Sequence, residues 1–306
     1  MAIHYSLDSG EIVMSDRPLF LVTDPAHFGV TYQINPWMRP EVWNGNPAAL
    51  RNSASASAAA LRHALERLGA RVETVAAVEN LPDLVFPANA AVVLDGRVLV
   101  ARFRHPERQG EEAIFSAAFR ALEARGLVSE IIDLPPDVLQ EGAGDCIWDA
   151  DRCFFWAGHG QRSTANSLPV IERVFDQRVV GLQLATDRFY HLDTCFCPLA
   201  GGKLLYYPPA FTPDALATIH AHVRPEDRIE ATDEEANAFC VNAVNIGRHI
   251  VMAKAPESLR RKLGALGYSL TAIDLGPFIL SGGGAYCMTL RLDRSSAAVA
   301  EIRAAE

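Results

Sequence analysis

The chain has 306 residues, of which 49% are hydrophobic, and a formal net charge of −9. This length supports a substantial buried core. The acidic balance supplies no basic surface for phosphate contacts, which excludes nucleic acid and anionic membranes as partners. We therefore expect a small-molecule or protein ligand, and the possibility of a homo-oligomer stays open.

Three features predict a cytoplasmic protein with one domain. The first twenty residues lack the basic and apolar regions of a secretory signal, and no apolar run approaches the roughly 20 residues that span a membrane. The six cysteines are dispersed, which favours reduced thiols over a disulfide framework. No low-complexity linker divides the sequence, so residues 1–306 are predicted to form a single domain.

A pattern of an apolar strand, a tight turn and often a second strand occurs five times. Its turns, Asp95-Gly96, DAD at 149–151, Gly201-Gly202 and NIG at 245–247, have the residue types that favour hairpins. The five segments are NAAVVLDGRVLVARF (89–103), GDCIWDADRCFFWAG (144–158), DTCFCPLAGGKLLYYP (193–208), NAFCVNAVNIGRHIVMA (237–253) and GGAYCMTLRL (283–292).

Amphipathic helices and short strands are predicted between these segments. The helices are expected at 54–68, 111–124, 167–175, 213–220 and 258–266. The strands that follow them are expected at 71–75, 129–132, 179–182 and 269–273. The repeating unit is therefore ββαβ, with a period of roughly 45–55 residues.

Five such units cannot each bury a sheet alone, so we expect them to pack around a common axis. Residues at the same position of successive units should then converge at one central site. The residues at those positions are unusually polar for the borders of core strands. They are Asp83, Asn89, Glu141, Asp145, His191, Asp193, Asn237, Asn242 and Cys287.

Cys287 is the candidate nucleophile of this site. It follows the run Ser281-Gly282-Gly283-Gly284, whose backbone can approach a ligand closely and leave N–H groups free. A cysteine attacks as the thiolate, which usually requires a neighbouring cation or base. The alternative is that Cys287 is a buried structural cysteine, as Cys153, Cys195 and Cys240 are expected to be.

His191 is the candidate acid or base. If the segment is extended, Asp193 lies on the same face as His191 and both can contact one ligand. Glu141, in the glycine-rich sequence EGAGD, could orient the histidine as in a catalytic triad. The alternatives are a structural histidine and a simple turn at 141–145.

No metal or cofactor is predicted. The pairs Cys195/Cys197 and His220/His222 lack second pairs at ligand spacing, and the two histidines would not face the same side of a helix. The sequence has no strand-flanked GxGxxG and no Walker motif, so nucleotide binding is not expected.

The chain resembles the guanidine-modifying enzymes of the pentein superfamily from about residue 20 to residue 292. This resemblance implies an α/β fold, the five-bladed β/α propeller with pseudo-fivefold ββαβ repeats. It is closest to the arginine dihydrolases, whose domain is fused in some cyanobacterial enzymes to a second domain that is not expected here. The motifs that carry it are HFGVTYQINPWM (27–38), DLVFPANA (83–90), RFRHPERQGEE (102–112), EGAGD (141–145), GHGQRS (158–163), RFYHLDTCFCPL (188–199) and GGGAYCMTLR (282–291).

The resemblance implies roles for individual residues. Cys287 would be the nucleophile, His191 the general acid and base, and Glu141 the residue that orients the histidine. Asn89 joins them as a catalytic residue. The implied substrate-binding residues are Asn35, Asp83, Phe86, Arg108, Arg162 and Asp193. The two arginines would bind the α-carboxylate of arginine or a related guanidino compound.

Two positions distinguish members of the superfamily. Dimethylarginine hydrolases lack an aspartate at the position of Asp193, whose presence favours an unsubstituted guanidinium. Arginine deiminases have aspartate where this chain has Asn89. An amide can donate as well as accept, so it can retain the neutral urea group of citrulline for a second attack. We therefore expect an arginine dihydrolase that forms ornithine, two ammonia and carbon dioxide.

Several alternatives stay open. The enzyme could be of the deiminase or dimethylarginine type and stop at citrulline, or the chain could be a noncatalytic pentein that binds arginine or a protein. The stretch 39–47 differs from the most similar dihydrolases and could form a lid that alters substrate choice.

Overall fold

The computed structural model describes residues 17–297. Most of the stretch considered for a secretory signal, and both ends of the predicted domain 1–306, lie outside the described residues. No helix within residues 17–297 has the length and apolar character needed to cross a membrane.

The strands of the described part form five separate three-stranded sheets. They are β1 (Leu19–Thr23), β2 (Arg71–Val75), β3 (Ala91–Leu94), β4 (Arg97–Val100), β5 (Glu130–Ile132), β6 (Cys146–Asp149), β7 (Phe154–His159), β8 (Val179–Gln183), β9 (Phe196–Leu199), β10 (Lys203–Tyr206), β11 (Arg228–Glu230), β12 (Val244–Ile246), β13 (His249–Ala253), β14 (Ser269–Ile273) and β15 (Leu290–Arg291).

The helices of the same region are α1 (Pro40–Gly45), α2 (Pro47–Arg67), α3 (Pro106–Ala124), α4 (Gly142–Asp145), α5 (Leu168–Phe175), α6 (Pro213–His222), α7 (Asp233–Asn237), α8 (Glu257–Ala265) and α9 (Gly276–Ile279). Helices α2, α3, α5, α6 and α8 correspond to the five predicted amphipathic helices. Helices α2 and α3 begin earlier than predicted, at Pro47 and Pro106, because proline fits the first turn of a helix.

All five sheets have the same arrangement. The middle strand pairs antiparallel with one neighbour and parallel with the other. In the second sheet, β4 pairs antiparallel with β3 and parallel with β5, and α3 connects the parallel strands. The β3–β4 turn has positive φ at both Asp95 (52°) and Gly96 (75°), as a type I′ hairpin requires. The sheets β6–β7–β8, β9–β10–β11 and β12–β13–β14 repeat this order, which confirms the predicted ββαβ unit.

The first sheet joins the two ends of the described chain. Strand β15 pairs antiparallel with β1, and β1 pairs parallel with β2. The sequence pattern missed β1, because LFLVT has no hairpin partner nearby in the sequence. It also missed β11, which has three residues. The fifth predicted segment therefore forms only one short strand, β15. Strands β1 and β2, from the N-terminal part of the described chain, complete its unit.

Two local predictions near the expected centre are wrong. Asn237 is exposed and accepts a hydrogen bond of 2.7 Å from Arg188 Nη2, because it ends α7 at the surface. His191 and Asp193 do not share an extended segment, since a 3-10 turn spans Leu192–Thr194. This turn directs the two side chains to different partners.

Candidate active site

The polar residues that precede the first strand of each unit are buried, with the exception of Asn237. Asp83 and Asn89 lie in 3-10 turns before β3, and Glu141 and Asp145 lie at the two ends of the α4 segment before β6. Each of these side chains is at most 3% exposed. Burial of so many polar groups is costly unless they bond one another or a ligand.

A cavity lies among these residues. Cys287 lines it, together with most of the residues predicted to bind substrate. Its lining residues are Ile34, Asn35, Asp83, Phe86, Asn89, Arg108, Arg162, Tyr190, Ser281, Gly282, Gly283 and Cys287. His191, Glu141 and Asp193 are not among them, but each is hydrogen-bonded to a residue that is.

The thiol of Cys287 is held by two polar side chains. Asp193 Oδ2 lies 3.1 Å from the sulfur, and Asn242 Nδ2 lies 3.0 Å from it. The oxygen of the same Asn242 amide accepts a hydrogen bond of 3.2 Å from the Cys287 backbone N–H. Burial, followed by the charge of Asp193, raises the pKa of the Cys287 thiol well above its ordinary value. The thiol is therefore protonated while no cationic ligand is bound in the cavity.

Asp193 has one oxygen without a partner. Its Oδ1 is buried and accepts no hydrogen bond from the described residues, although its Oδ2 contacts the thiol. Burial raises the pKa of Asp193 to about 7. When Asp193 is ionised, this free oxygen can accept a hydrogen bond from a ligand donor.

His191 is oriented by Glu141 and Asn89. The imidazole Nε2 lies 2.7 Å from Glu141 Oε2, and Nδ1 lies 3.3 Å from the Asn89 amide nitrogen. Burial alone would raise the pKa of Glu141, but the charge of Arg162 and the hydrogen bond with His191 hold it well below its ordinary value. Glu141 is therefore ionised and can accept a hydrogen bond from Nε2, while the Asn89 amide nitrogen faces Nδ1.

Arg108 determines the orientation of the Asn89 amide. Its Nη1 donates a hydrogen bond of 2.8 Å to Asn89 Oδ1. Its Nε and Nη2 each donate one of 2.8 Å to the carboxylate of Glu111, and Nη2 also donates to the Asp83 carbonyl. The charge of Glu111 keeps the pKa of Arg108 above its ordinary value despite burial. Four of the five guanidinium N–H groups are thus occupied.

Arg162 retains more free donors than Arg108. It donates to Glu141 Oε2 at 3.1 Å and to the Ile34 carbonyl at 3.1 Å, and its guanidinium lies 4.6 Å from the centre of the Tyr190 ring. The Tyr190 hydroxyl in turn donates to the Gly282 carbonyl at 2.6 Å. Of the two predicted carboxylate-binding arginines, Arg162 therefore has the greater capacity for a bidentate contact.

The remaining predicted residues line the wall of the cavity. Asp83 accepts hydrogen bonds of 2.9 Å from the hydroxyls of both Tyr32 and Ser281. Asn35 donates to the Ser281 carbonyl at 3.1 Å. Phe86 packs so closely on Gly283 that a Cβ there would fall 2.2 Å from the ring. A glycine at this position is what allows the loop before Cys287 to approach the cavity.

Several residues of the site were not predicted from the sequence. Glu111, which pairs with Arg108, is 0% exposed; the helix predicted at 111–124 begins after Arg108, so the i,i+3 spacing that α3 gives this pair was not recognised. Asn242 was placed at the centre by repeat position but was given no role. Ser281 and Tyr190 carried no pattern that distinguishes them from ordinary loop residues.

The chain matches known proteins over almost its whole length. The family model described as N,N dimethylarginine dimethylhydrolase, eukaryotic, matches residues 24–294. The bifunctional arginine dihydrolase/ornithine cyclodeaminase ArgZ of Synechocystis sp. is 40% identical over 91% of this chain and 38% of its own length. The N(G),N(G)-dimethylarginine dimethylaminohydrolase of Mycobacterium tuberculosis is 32% identical over 89% of this chain and 85% of its own length.

A solved structure has the same fold. The crystal structure of the N-terminal domain of ArgZ bound to product, an arginine dihydrolase from the ornithine-ammonia cycle in cyanobacteria, superposes with a TM-score of 0.85. It is 40% identical and covers 92% of this chain and 99% of that domain. This chain therefore spans well under half of full-length ArgZ and nearly all of its N-terminal domain.

These likenesses confirm the resemblance to the guanidine-modifying superfamily that the motifs predicted. Within that superfamily, the chain belongs to the N,N-dimethylarginine dimethylhydrolase family. The relatives of this chain carry different substrates in their names.

Proposed function

We propose that this protein is an arginine dihydrolase, which converts arginine and two waters into ornithine, two ammonia and carbon dioxide. The observation that carries the proposal is that the Cys287 sulfur lines one cavity with Asp83, Asn89, Arg108 and Arg162. The 40% identity to ArgZ and its solved N-terminal domain supports the same substrate.

The cavity suits an α-amino acid that carries a guanidinium. Arg162, with its free N–H groups, would bind the α-carboxylate, and Arg108 would contribute its one remaining donor. Asp83 and Asn35 would contact the amino acid end of the substrate, and Phe86 would cover its aliphatic chain. Asp193 would accept guanidinium N–H groups through the oxygen that has no partner.

Substrate binding would also activate the thiol. The bound guanidinium is a cation beside Cys287 and Asp193, and a nearby positive charge lowers the pKa of a thiol. The proton would leave the sulfur only when substrate is present. An empty site would therefore keep Cys287 as an unreactive thiol.

The first round replaces one guanidinium nitrogen by oxygen. His191 accepts the proton that leaves the Cys287 thiol. The thiolate adds to the guanidinium carbon, and the imidazolium so formed protonates the departing nitrogen, which leaves as ammonia. A thioether-linked amidino group remains on Cys287. Neutral His191 then takes a proton from water, whose oxygen attacks the same carbon. The carbon–sulfur bond breaks and citrulline forms.

The second round requires citrulline to stay in place. The Asn89 amide, held by Arg108 and donating toward His191, presents no negative charge to the urea oxygen. Cys287 attacks the urea carbon, and the second ammonia leaves after protonation by His191. Water hydrolyses the resulting thiocarbamate to a carbamate, which releases carbon dioxide and ornithine.

Three further proposals accompany this function. The five ββαβ units would form a closed five-bladed propeller whose axis passes near the site, as in the pentein superfamily. The whole chain 1–306 would act as one catalytic domain. We also place the enzyme in the cytoplasm, where its six free cysteines would stay reduced.

The second candidate is a dimethylarginine hydrolase, which the family model and the Mycobacterium tuberculosis relative favour. Asp193 distinguishes the two. A dimethylated guanidinium nitrogen has no N–H to donate. If this nitrogen faced Asp193, the buried Oδ1 would stay without a partner. This argues for arginine.

A product assay separates the candidates. The protein is incubated with arginine, citrulline or asymmetric dimethylarginine, and ornithine, citrulline, ammonia and dimethylamine are quantified over time. The dihydrolase predicts two ammonia per ornithine from arginine. Accumulation of citrulline without ornithine would identify a deiminase, release of dimethylamine would identify a dimethylarginine hydrolase, and no turnover of any substrate would reject an enzymatic role.

A further inference from the structure

A second cavity lies at the centre of the five sheets, and it shares no lining residue with the first. Its volume is about 50 Å³. The first strand of every unit contributes to its wall, since residues of β3, β6, β9, β12 and β15 all line it. We call it the axial cavity.

The axial cavity is lined by two arginines and by no aspartate or glutamate. Arg291 is neutralised, because its Nη2 donates a hydrogen bond of 2.8 Å to Asp293. The Arg294 side chain forms no hydrogen bond or ion pair with the residues in 17–297, whereas its backbone carbonyl accepts one of 2.9 Å from the Asp95 N–H. Its guanidinium is a half-buried cation beside this space, and the acidic group that acts on it, Asp293, already pairs with Arg291.

Two more donors on the wall lack acceptors within the described region. The indole Nε1 of Trp148 is buried without a partner, and Trp148 is only 6% exposed. The hydroxyl of Tyr286 forms no hydrogen bond with any residue from 17 to 297. Burial, followed by the charge of Arg291, lowers the pKa of Arg294, and the opposing charge of Asp293 offsets this only in part.

A half-buried guanidinium with no hydrogen-bond acceptor is unfavourable, and an anion of matching size would relieve that cost. We propose that the axial cavity is a binding site for a small oxyanion, a carboxylate or a phosphate. The Arg294 guanidinium is its principal contact, because the planar fork fits two oxygens of such an anion. The Tyr286 hydroxyl is the second donor.

The site is connected to the nucleophile through the backbone. Tyr286 directly precedes Cys287, and the N–H groups of both residues donate to the oxygen of the Asn242 side chain, at 3.0 and 3.2 Å. Tyr286 lines the axial cavity and Cys287 lines the catalytic cavity. An anion bound to Tyr286 is thus one residue from the reactive sulfur. Binding of the anion does not depend on the reaction proposed above.

Calorimetric titration of the full chain with sodium phosphate and, separately, sodium acetate tests the proposal, with ionic strength held constant by sodium chloride. We expect binding of one anion per chain, at least tenfold weaker in Arg294→Met and severalfold weaker in Tyr286→Phe. The control Arg51→Met removes an exposed cation on α2 and should bind as the wild type does. Arg162→Met removes a cation of the catalytic cavity and should also retain binding.

Thermal unfolding provides a readout that does not require tight binding. Without added anion, Arg294→Met should unfold at a higher temperature than the wild type, because the change removes a half-buried cation and its repulsion with Arg291. Added phosphate or acetate should raise the Tm of the wild type and not that of Arg294→Met. Equal anion responses in the two proteins, or loss of binding in Arg162→Met instead, would overturn the assignment. The preferred anion identifies whether a phosphate or a carboxylate compound is the ligand.

Discussion

Arg108 donates a hydrogen bond of 2.8 Å to the amide oxygen of Asn89, and this contact decides which way the amide faces. A guanidinium can only donate, so the amide oxygen must point to Arg108 and the amino group to His191 Nδ1, 3.3 Å away. A carboxylate at the same position would accept from both sides. Asn89 is the residue that distinguishes this chain from the arginine deiminases, and its amide uses an N–H donor that an aspartate would lack.

Asn89→Asp is expected to raise the ratio of citrulline to ornithine at least tenfold. The added charge would repel the urea oxygen of citrulline, which would leave before the second attack. Chromatographic quantification of both products at early times measures the ratio. Asn44→Asp makes the same change at an exposed position and should keep the wild-type ratio. An unchanged ratio in Asn89→Asp would remove the argument for the amide.

Cys287→Ser should lower the turnover of arginine more than about a thousandfold, because a serine hydroxyl is far less readily ionised than a thiol. Circular dichroism and the Tm should stay close to those of the wild type, since the two side chains have nearly the same shape. Cys153→Ser is the control, because that thiol lies only in a turn and contacts the Ala150 carbonyl. Substantial residual activity in Cys287→Ser would reject the nucleophile.

Glu111→Ala is expected to destabilise the protein by about 3–5 kcal/mol, since it leaves the buried Arg108 cation without its carboxylate. Urea unfolding monitored by tryptophan fluorescence measures the loss. Glu66→Ala removes the acid of an exposed pair with Arg62, which should cost only about 0.2–1 kcal/mol. Similar losses in the two variants would mean that the Arg108–Glu111 pair contributes no more than a surface contact.

Arginine binding should strengthen as the pH rises toward 7. Folding raises the pKa of Asp193 from 3.8 to about 7, and the guanidinium requires the ionised form, so binding below that pKa releases a proton. Affinity should increase by up to about tenfold per pH unit in the Cys287→Ser background, which prevents turnover. Calorimetry across this range measures it. In Cys287→Ser/Asp193→Asn the same dependence should be absent, and its persistence would assign the titration to another group.

The same shift has the opposite consequence for the empty protein. The folded state holds a proton on Asp193 more tightly than the unfolded chain does, so this contribution to stability is present at low pH. It is lost as the pH rises from about 4 through about 7. The unliganded Cys287→Ser protein should therefore lose stability over that window relative to the Cys287→Ser/Asp193→Asn protein.

Gly283→Ala is expected to reduce activity strongly, because the new Cβ would fall 2.2 Å from the Phe86 ring. Either the ring or the loop before Cys287 must move, and both line the cavity. Steady-state kinetics with arginine measure the change. Gly264→Ala adds a methyl group on the exposed side of α8 where nothing lies within 4 Å, and helix propensity predicts a gain of up to about 1 kcal/mol. Equal activity in the two variants would contradict the proposed packing.

By itself, the sequence determined the hairpins, the five amphipathic helices and the membership of the superfamily. Alternating apolar residues and turn pairs such as Asp95-Gly96 are local signals, and local signals were sufficient for the hairpins and helices. The position of polar residues before each first strand also predicted the buried cluster around Cys287. The catalytic and binding roles of its members stay predictions.

Only the tertiary structure decided which polar groups contact one another. The pairing of β15 with β1 joins residues about 270 positions apart, and no local pattern encodes such a contact. The 3-10 turn at Leu192–Thr194 separates His191 from Asp193, and the exposed Asn237 leaves the cluster because α7 ends at the surface. A sequence states which donors and acceptors are available, but their pairing depends on distances of about 3 Å that the packing of all five sheets sets.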